Sequence, residues 1–295
     1  MGAKQMSTIG YERRFNAALR IQDKAAFITS LTENMPEAPD HFSRCSDINR
    51  KGPRLIADLP VLEELDARLF KQRLADPEVL VLDARGYHAF GGQHVPDAWH
   101  LDLNGNFPTF AGWVLPTDKD ILLVAEDYQK SVEANRWVRR VGVDRVVGHL
   151  KGSMPAWAVA GLASCAVPQI FAEELHSRMA GAKAFQLVDV RAPHEFANSH
   201  IHGAMNIPVA DLRSRWRELR KDLSTLVMCS SGIRSSLAAS ILLRQGFVDV
   251  TNVAGGMTGY SAAGYVKQCS ACENPHGSRF YAGVQDQETH WQEPE

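Results

Sequence analysis

Cysteine is scarce in this chain of 295 residues: there are five, an odd and sparse set. Such a set does not predict a disulfide framework, so we expect a reducing, cytoplasmic setting. The chain starts without the apolar stretch of an export signal. The longest nearly apolar run, residues 156–172, contains a proline and polar residues and is too short for a membrane span. We therefore expect a soluble protein.

An excess of charge of one sign is also missing. Lys and Arg number 32 against 34 Asp and Glu, and the formal net charge is −2. Because nucleic acids and anionic membranes are bound through basic surfaces, neither is expected as a partner. The content of 45% hydrophobic and 22% charged residues is ordinary for globular proteins, and the length fits two domains.

A repeated unit organises the chain. The sequence VLDAR at residues 81–85 returns as LVDVR at residues 187–191, which puts Asp83 and Asp189 106 residues apart. Later in the two copies the offset becomes 104, as between Gly142 and Gly246. The chain is therefore interpreted as one domain duplicated.

Each copy contains short apolar runs without alternation, separated by amphipathic stretches such as residues 235–245. Unbroken apolar runs are typical of strands buried on both faces, and alternation of strand with helix predicts a parallel sheet. The predicted fold is α/β: two domains, each a parallel β-sheet with helices on both faces, after a short helical segment. The predicted strands are residues 79–82, 121–124, 146–147, 187–190, 226–228 and 250–253.

The predicted domain boundaries follow from these patterns. In the leading segment, Asp23 is expected to cap a helix that ends near Leu31, and a second helix should run from near Asp40 to Gly52. The second domain should open with a helix over residues 170–179. The predicted parts are a leading segment 1–55, a first domain 56–163, a second domain 164–267 and a polar tail 268–295.

The strongest local pattern is a loop between a predicted buried strand and a predicted helix. Such a loop points backbone N–H groups and the positive end of the helix dipole at a bound anion. Gly232 gives the backbone freedom to curl, Arg234 adds a planar fork of donors, and Ser235 is expected to cap the helix. Cys229 should be stabilised as a nucleophilic thiolate, which is a better interpretation than a merely structural cysteine. The loop residues are Cys229, Ser230, Ser231, Gly232, Ile233, Arg234 and Ser235.

Around this loop the chain resembles a tandem rhodanese, a family of sulfurtransferases. The matching motifs are Asp189-Val190-Arg191, His194-Glu195-Phe196, residues 200–204 and Gly255-Gly256. The family associates a six-residue loop, as counted here from Cys229 to Arg234, with sulfur substrates. Related phosphatases and arsenate reductases carry seven loop residues, so their chemistry is the less favoured alternative.

The resemblance implies a reaction and a set of site residues. Cys229 would take sulfane sulfur from thiosulfate or a low-molecular-weight persulfide and hand it, as a persulfide, to a thiol or to cyanide. Asp189 and Arg191 would support the site, and neither a metal nor an organic cofactor is needed. The residues expected to bind substrate are Ser230, Ser231, Gly232, Ile233, Arg234 and Ser235.

The first copy lacks the nucleophile. An offset of 104 places Ala125 opposite Cys229 and Lys130 opposite Arg234, with Glu126 and Asp127 between them. Acidic side chains suit a helix N-terminus but repel an anionic substrate. The first copy is therefore predicted to be a structural or docking module.

The leading segment resembles the last part of a metallo-β-lactamase-type persulfide dioxygenase, a family found fused to a degenerate and then an active rhodanese. The similarity lies in residues 7–16, 35–39 and 49–53. The iron-binding His-x-His-x-Asp-His element does not occur in these 295 residues, so no metal is expected. A persulfide dioxygenase domain or protein is a predicted partner. The alternative function is a docking or sulfur-carrier subunit that works with a separate dioxygenase.

Two further patterns are interpreted as ordinary. His200 and His202 match the rhodanese motif and are expected to be polar residues near the end of a strand. Cys269 and Cys272, followed by His276, form half of a zinc site at most. We interpret this pair as incidental, with a resolving thiol for Cys229 as the alternative.

Overall fold

The computed structural model describes residues 6–33, 38–39 and 41–265. Within these ranges the chain forms ten strands, most of them at the apolar runs identified above. The strands are β1 (Glu63–Leu65), β2 (Val79–Asp83), β3 (Trp99–His100), β4 (Asp120–Val124), β5 (Val146–Leu150), β6 (Gln169–Ile170), β7 (Phe185–Asp189), β8 (Met205–Asn206), β9 (Ser224–Met228) and β10 (Val250–Val253).

Thirteen α-helices lie in the same ranges, and none of them has both the length and the apolar character that a bilayer crossing requires. The helices are α1 (Ile9–Phe15), α2 (Lys24–Thr32), α3 (His41–Lys51), α4 (Ala67–Arg73), α5 (Tyr87–Gly92), α6 (Phe107–Val114), α7 (Tyr128–Arg140), α8 (Ser153–Val159), α9 (Ala172–Ala180), α10 (Pro193–Asn198), α11 (Leu212–Arg215), α12 (Ile233–Arg244) and α13 (Gly256–Ala262).

The strands form two parallel five-stranded sheets with the same order. The first sheet runs β1-β5-β4-β2-β3 and the second runs β6-β10-β9-β7-β8. The register is repeated as well, since Asp83 pairs with Val124 and Asp189 pairs with Met228. The predicted duplication and the α/β fold are therefore confirmed.

The central strands are buried on both faces, as their unbroken apolar sequences predict. Leu226, Val227 and Met228 of β9 are all 0% exposed. All six predicted strands are present. The sequence analysis missed the edge strands β1, β3, β6 and β8, because two or three paired residues leave no period to detect.

The leading segment contains the two helices expected there. The Asp23 carboxylate accepts the N–H of Ala26 at 2.7 Å and caps α2, as predicted. The prediction of a helix from residue 170 was wrong at its start. Ile170 pairs with Val253 in the second sheet, so α9 begins only at Ala172.

The two domains pack through the helix that follows the Cys229 loop. The N–H of His100 in β3 donates to the buried hydroxyl of Ser240 in α12 at 3.1 Å. Near the end of α12, the Arg244 guanidinium lies 4.9 Å from the centre of the Trp99 ring. Helix α12 is therefore anchored on the first domain as well as on its own sheet.

A candidate active site at the Cys229 loop

The site lies at the carboxyl end of a central strand. Strand β9 ends at Met228, Cys229 follows, and α12 begins at Ile233. Gly232 is the residue before the helix and has a φ of 105°, a conformation that strongly favours glycine. The chain can therefore turn from strand to helix within a few residues, as the sequence predicted.

Two donors point at the cysteine sulfur. Cys229 is buried, and its Sγ accepts the N–H of Gly232 at 3.1 Å and the hydroxyl of Ser235 at 3.4 Å. Together with the N-terminus of α12, these donors stabilise negative charge on sulfur. The arrangement suits a thiolate that attacks an electrophilic sulfur atom.

Ser235 does not cap the helix, so that expectation was wrong. The helix begins two residues earlier, at Ile233, and Gly232 occupies the cap position. Ser235 lies inside the first turn, and its buried side chain is directed to Cys229 instead of to a free backbone N–H.

Arg234 is paired with a carboxylate of the same domain. Its guanidinium donates to Glu195 Oε2 at 2.6 Å and to Glu195 Oε1 at 2.8 Å, and it also reaches the Ser230 hydroxyl at 2.7 Å. These hydrogen bonds from Arg234 lower the pKa of the Glu195 carboxyl to about 2. Sequence analysis assigned the guanidinium to a bound anion, whereas here it holds Glu195 and Ser230 in place.

The rest of the loop is held by backbone hydrogen bonds to the start of α13. The N–H of Met257 donates to the carbonyl of Cys229 at 2.7 Å, and the N–H of Gly255 donates to the carbonyl of Ser231 at 3.2 Å. The N–H of Thr258 binds the next carbonyl, that of Ser230, at 3.0 Å. The loop is therefore rigidly positioned before any substrate arrives.

Asp189 and Arg191 form a buried ion pair at 2.6 Å, and Arg191 also donates to the carbonyl of Ser199 at 2.6 Å. The first domain contains the same pair, Asp83 with Arg85, at the same distance. Because the pair also occurs in the copy without a nucleophile, it stabilises the repeated fold. The supporting role expected of Asp189 and Arg191 at the Cys229 site stays a prediction.

The first domain uses its acidic loop for structure. Asp127 accepts the N–H of Lys130 at 2.8 Å and caps α7. Glu126 accepts the N–H of Gly86 at 2.9 Å, and Ala125 is buried at the end of β4. Both carboxylates therefore accept hydrogen bonds from backbone N–H groups of the protein itself.

His200 makes its contacts with Phe196 and not with the Cys229 loop. His200 stacks on Phe196 at 4.2 Å and binds the Phe196 carbonyl at 2.9 Å. His94 stacks on Phe90 in the first domain in the same way, at 3.9 Å. His200 is therefore part of the repeated fold. Cys269, Cys272 and His276 lie outside the described residues.

Sequence analysis missed two neighbours of the loop. Glu195 was noted only as part of a motif, although a carboxylate preceding a buried Phe196 could have suggested a partner for Arg234. Tyr87 of the first domain lies against Gly232, and a Cβ built on Gly232 would be 2.9 Å from the Tyr87 ring. No sequence pattern connects these two positions.

The family model for the rhodanese-like domain matches residues 66–160 and again residues 171–263. Curated relatives match shorter stretches. An uncharacterised protein, YqhL of Bacillus subtilis, is 42% identical over 26% of this chain and 61% of its own length. The putative sulfur carrier protein YrkF of the same organism is 33% identical over 31% of this chain and 49% of its own length. The chain thus spans only about half to three fifths of these two relatives.

A sulfurtransferase of Allochromatium vinosum is 35% identical to this chain, and the match covers 33% of this chain and 92% of that protein. Among solved structures, a metallo-β-lactamase of Staphylococcus aureus is 27% identical, with 51% of this chain and 42% of that chain covered and a TM-score of 0.42. The domain type of both halves is identified by the family match over residues 66–160 and 171–263.

Proposed function

The chain belongs to the rhodanese-like domain family, with two copies of the domain, and we propose that it is a sulfurtransferase whose second domain is catalytic. The observation that carries this proposal is the pair of donors, Gly232 N–H and Ser235 Oγ–H, directed at the buried sulfur of Cys229. Two donors held in this way can stabilise negative charge that develops on sulfur during the transfer. The name of the Allochromatium relative agrees with such an activity.

In the first half-reaction, the Cys229 thiolate attacks the outer sulfur of thiosulfate or of a low-molecular-weight persulfide. A new bond forms between Sγ and that sulfur. The original S–S bond breaks, and its electron pair leaves with sulfite or with the donor thiolate. The persulfide on Cys229 then lies where the Gly232 N–H and the helix N-terminus can stabilise its negative charge.

In the second half-reaction, an acceptor thiolate or cyanide attacks the terminal sulfur of the persulfide. The S–S bond breaks and its electrons return to Cys229 as thiolate, while the acceptor leaves as a persulfide or as thiocyanate. The sulfur atom is thus transferred from donor to acceptor in two displacement steps, with Cys229 as the intermediate carrier. Among the described residues, the scheme uses Cys229 and its hydrogen-bonded neighbours Gly232 and Ser235.

The first domain is proposed to be a non-catalytic partner of the second. Ala125 offers no nucleophile, and Glu126 and Asp127 place negative charge where an anionic donor would sit. A cytoplasmic location is also proposed, because the reaction needs a free Cys229 thiol and reducing compartments maintain one.

The test is turnover by the purified chain. Thiosulfate and cyanide should give thiocyanate, and after thiosulfate alone the peptide that contains Cys229 should gain the mass of one sulfur atom. A chain that neither gains sulfur nor forms thiocyanate with thiosulfate or with glutathione persulfide would overturn the proposal.

A second candidate function is a docking or sulfur-carrier subunit that works with a persulfide dioxygenase. Exposed apolar side chains on α1 favour this alternative, since Ile9 is 77% exposed and Phe15 is 60% exposed. The relative YrkF is described as a putative sulfur carrier. Multiple turnover by the chain alone would favour the enzyme, whereas loading of Cys229 without turnover would favour the carrier.

A further inference from the structure

A cluster of three side chains joins the Cys229 loop at the residue that follows the cysteine. The Glu195 carboxylate accepts two hydrogen bonds from the Arg234 guanidinium, at 2.6 and 2.8 Å, and one from the Ser230 hydroxyl at 3.1 Å. Arg234 also donates to the Ser230 hydroxyl at 2.7 Å. Each of the three side chains therefore bonds to the other two, and Glu195 is the acceptor that holds them together.

The two charges of this cluster are open to solvent in part. The Arg234 side chain is 24% exposed and the Glu195 side chain is 26% exposed, so a dissolved sulfur donor can reach both. The hydrogen bonds from Arg234 lower the pKa of Glu195 to about 2, so the carboxylate keeps its charge at neutral pH. Because opposite charges at such short distance largely cancel for a third charge farther away, an approaching anion gains little from Arg234.

The groups that act on Arg234 are all negative. The hydrogen bonds with Glu195 raise the pKa of the Arg234 guanidinium, burial opposes that rise, and negative charge on Cys229 and Asp189 adds to it. Asp189 is itself neutralised by Arg191, at 2.6 Å. The charge of Arg234 is therefore shared between Glu195 and the sulfur of Cys229, and a thiolate there would make the three groups negative in sum.

The repeated fold does not require a carboxylate at this position. The offset of 106 residues places Ala89 of the first copy opposite Glu195. Glu195 also accepts the N–H of Ala192 at 3.0 Å at the start of α10, but the corresponding helix of the first copy, α5, forms with Ala89 in that place. Glu195 is thus found in the copy that has Cys229, unlike the buried Asp-Arg pair, which both copies contain.

We propose that Glu195 is a specificity-determining residue of the Cys229 site: by pairing with Arg234 it weakens the attraction for anionic sulfur donors and favours persulfides of small thiols. Thiosulfate brings two negative charges to the site, whereas the reacting sulfur pair of glutathione persulfide carries one at most. The preference between donors rests on the proposed function. The effect of Glu195 on an anion that approaches Cys229 does not.

The first test compares the alkylation of Cys229 by iodoacetate, an anion, with its alkylation by the neutral iodoacetamide, in the full chain and in Glu195→Gln. Both reagents react with the same thiolate, so the ratio of the two rates does not depend on the thiolate fraction. Glu195→Gln should raise the iodoacetate-to-iodoacetamide ratio roughly three- to tenfold at low ionic strength, and added salt should shrink the effect. Mass spectrometry of the peptide that contains Cys229 measures both rates.

Two controls separate charge from structural damage. Glu218→Gln removes a carboxylate that pairs with Arg215 at 2.7 Å and is 51% exposed, and the ratio at Cys229 should match that of the wild type. Glu195→Gln combined with Arg234→Gln removes both charges and should bring the ratio back toward the wild-type value, although it disturbs the cluster more. Cys165, which is exposed, is the internal reference, since its ratio should be equal in all the variants.

The second test measures how fast Cys229 gains one sulfur atom from thiosulfate and from glutathione persulfide in a single turnover. Glu195→Gln should raise the rate with thiosulfate relative to the rate with glutathione persulfide by a similar factor. An unchanged preference between the two donors, together with a raised alkylation ratio, would overturn the assignment of donor specificity to Glu195.

The outcomes distinguish this proposal from the proposed function. An alkylation ratio of Glu195→Gln that coincides with that of the wild type would overturn the role of Glu195, whether or not the chain transfers sulfur. Failure of the wild type to take up sulfur from either donor would overturn the proposed function, and the alkylation ratios would still decide whether Glu195 weakens the attraction for anions. If Glu195→Gln does not fold, Glu195→Ala removes the same charge and introduces the residue that the first copy has at this position.

Discussion

The backbone of Gly256 lies directly against the carbonyl of Cys229. A Cβ built on Gly256 would be 2.1 Å from that oxygen, closer than any side chain can approach, and Gly256 has a φ of 50°. The neighbouring N–H of Met257 donates to the same carbonyl at 2.7 Å. The position of Cys229 therefore depends on the absence of a side chain at residue 256.

Gly256→Ala should lower the free energy of unfolding by about 1–3 kcal/mol, because the new methyl group overlaps a fixed backbone oxygen. Sulfur transfer should fall as well, since the carbonyl of Cys229 has to move. Denaturant unfolding and thiocyanate formation measure the two effects.

Gly259→Ala is the matched control, because a Cβ there meets no atom within 4 Å and the residue lies within α13. It should leave activity unchanged and stabilise the chain by up to about 1 kcal/mol. Equal effects of the two substitutions would contradict the close approach between Gly256 and Cys229.

Cys229→Ser should abolish thiocyanate formation from thiosulfate and cyanide. A hydroxyl is far less acidic than a thiol and cannot accept sulfane sulfur. Cys165→Ser should keep wild-type activity, because Cys165 is exposed and lies outside the loop. Residual activity of Cys229→Ser near that of the wild type would mean that another residue carries the sulfur.

Glu195→Gln should lower the free energy of unfolding at pH 7 by about 1–2 kcal/mol, a value reduced by solvent screening of the partly exposed pair with Arg234. The pKa of Glu195 is lowered from 4.5 to about 2 chiefly by the hydrogen bonds from Arg234. The native state thus binds the proton less readily than the unfolded state. The stabilisation is complete above pH 4.5 and is lost as the pH falls toward 2.

The difference between wild type and Glu195→Gln should accordingly shrink between pH 4.5 and pH 2, which chemical denaturation across that range would show. Glu218→Gln removes a comparable pair with Arg215 in which the carboxylate is 51% exposed. Its effect should stay within about 1 kcal/mol at every pH. A pH-independent loss in Glu195→Gln would indicate that Glu195 acts through packing alone.

Ala125→Cys, made in the Cys229→Ser background, should not restore sulfur transfer. The new thiol would lie between strand and helix as Cys229 does, but beside Glu126 and Asp127, whose negative charges oppose both a thiolate and an anionic donor. Thiosulfate-cyanide turnover measures the outcome. Recovery of activity would show that the first domain retains a usable site and lacks only its nucleophile.

Local sequence patterns predicted the fold because the forces behind them act over short distances. The short unbroken apolar run that ends at Met228 favours a buried strand, and the amphipathic stretch after Gly232 favours a helix against the core. Repetition of such runs identified the duplication. The Cys229 loop could be located for the same reason, because a nucleophile, a glycine and a helix start are contiguous in the chain.

The roles of side chains within the site depended on residues far away in the chain. Arg234 was expected to hold a substrate anion, which stays a prediction, and the sequence did not reveal that Glu195, 39 residues earlier, pairs with its guanidinium. Ser235 was expected at the helix cap, but Gly232, with its positive φ, occupies that position, and the helix begins at Ile233. Ser235 therefore lies inside the first turn, where its hydroxyl donates to the Cys229 sulfur.

The sequence by itself determined two α/β domains and the place of the Cys229 loop, since periodicity and composition encode which segments are buried and how the chain turns between them. Only the tertiary structure decided what surrounds the sulfur. Tyr87 reaches Gly232 because α12 packs on β3 of the other domain, and a contact between domains leaves no periodic trace in either copy. Pairing between distant segments is set by the packing of whole surfaces, which no single stretch of sequence specifies.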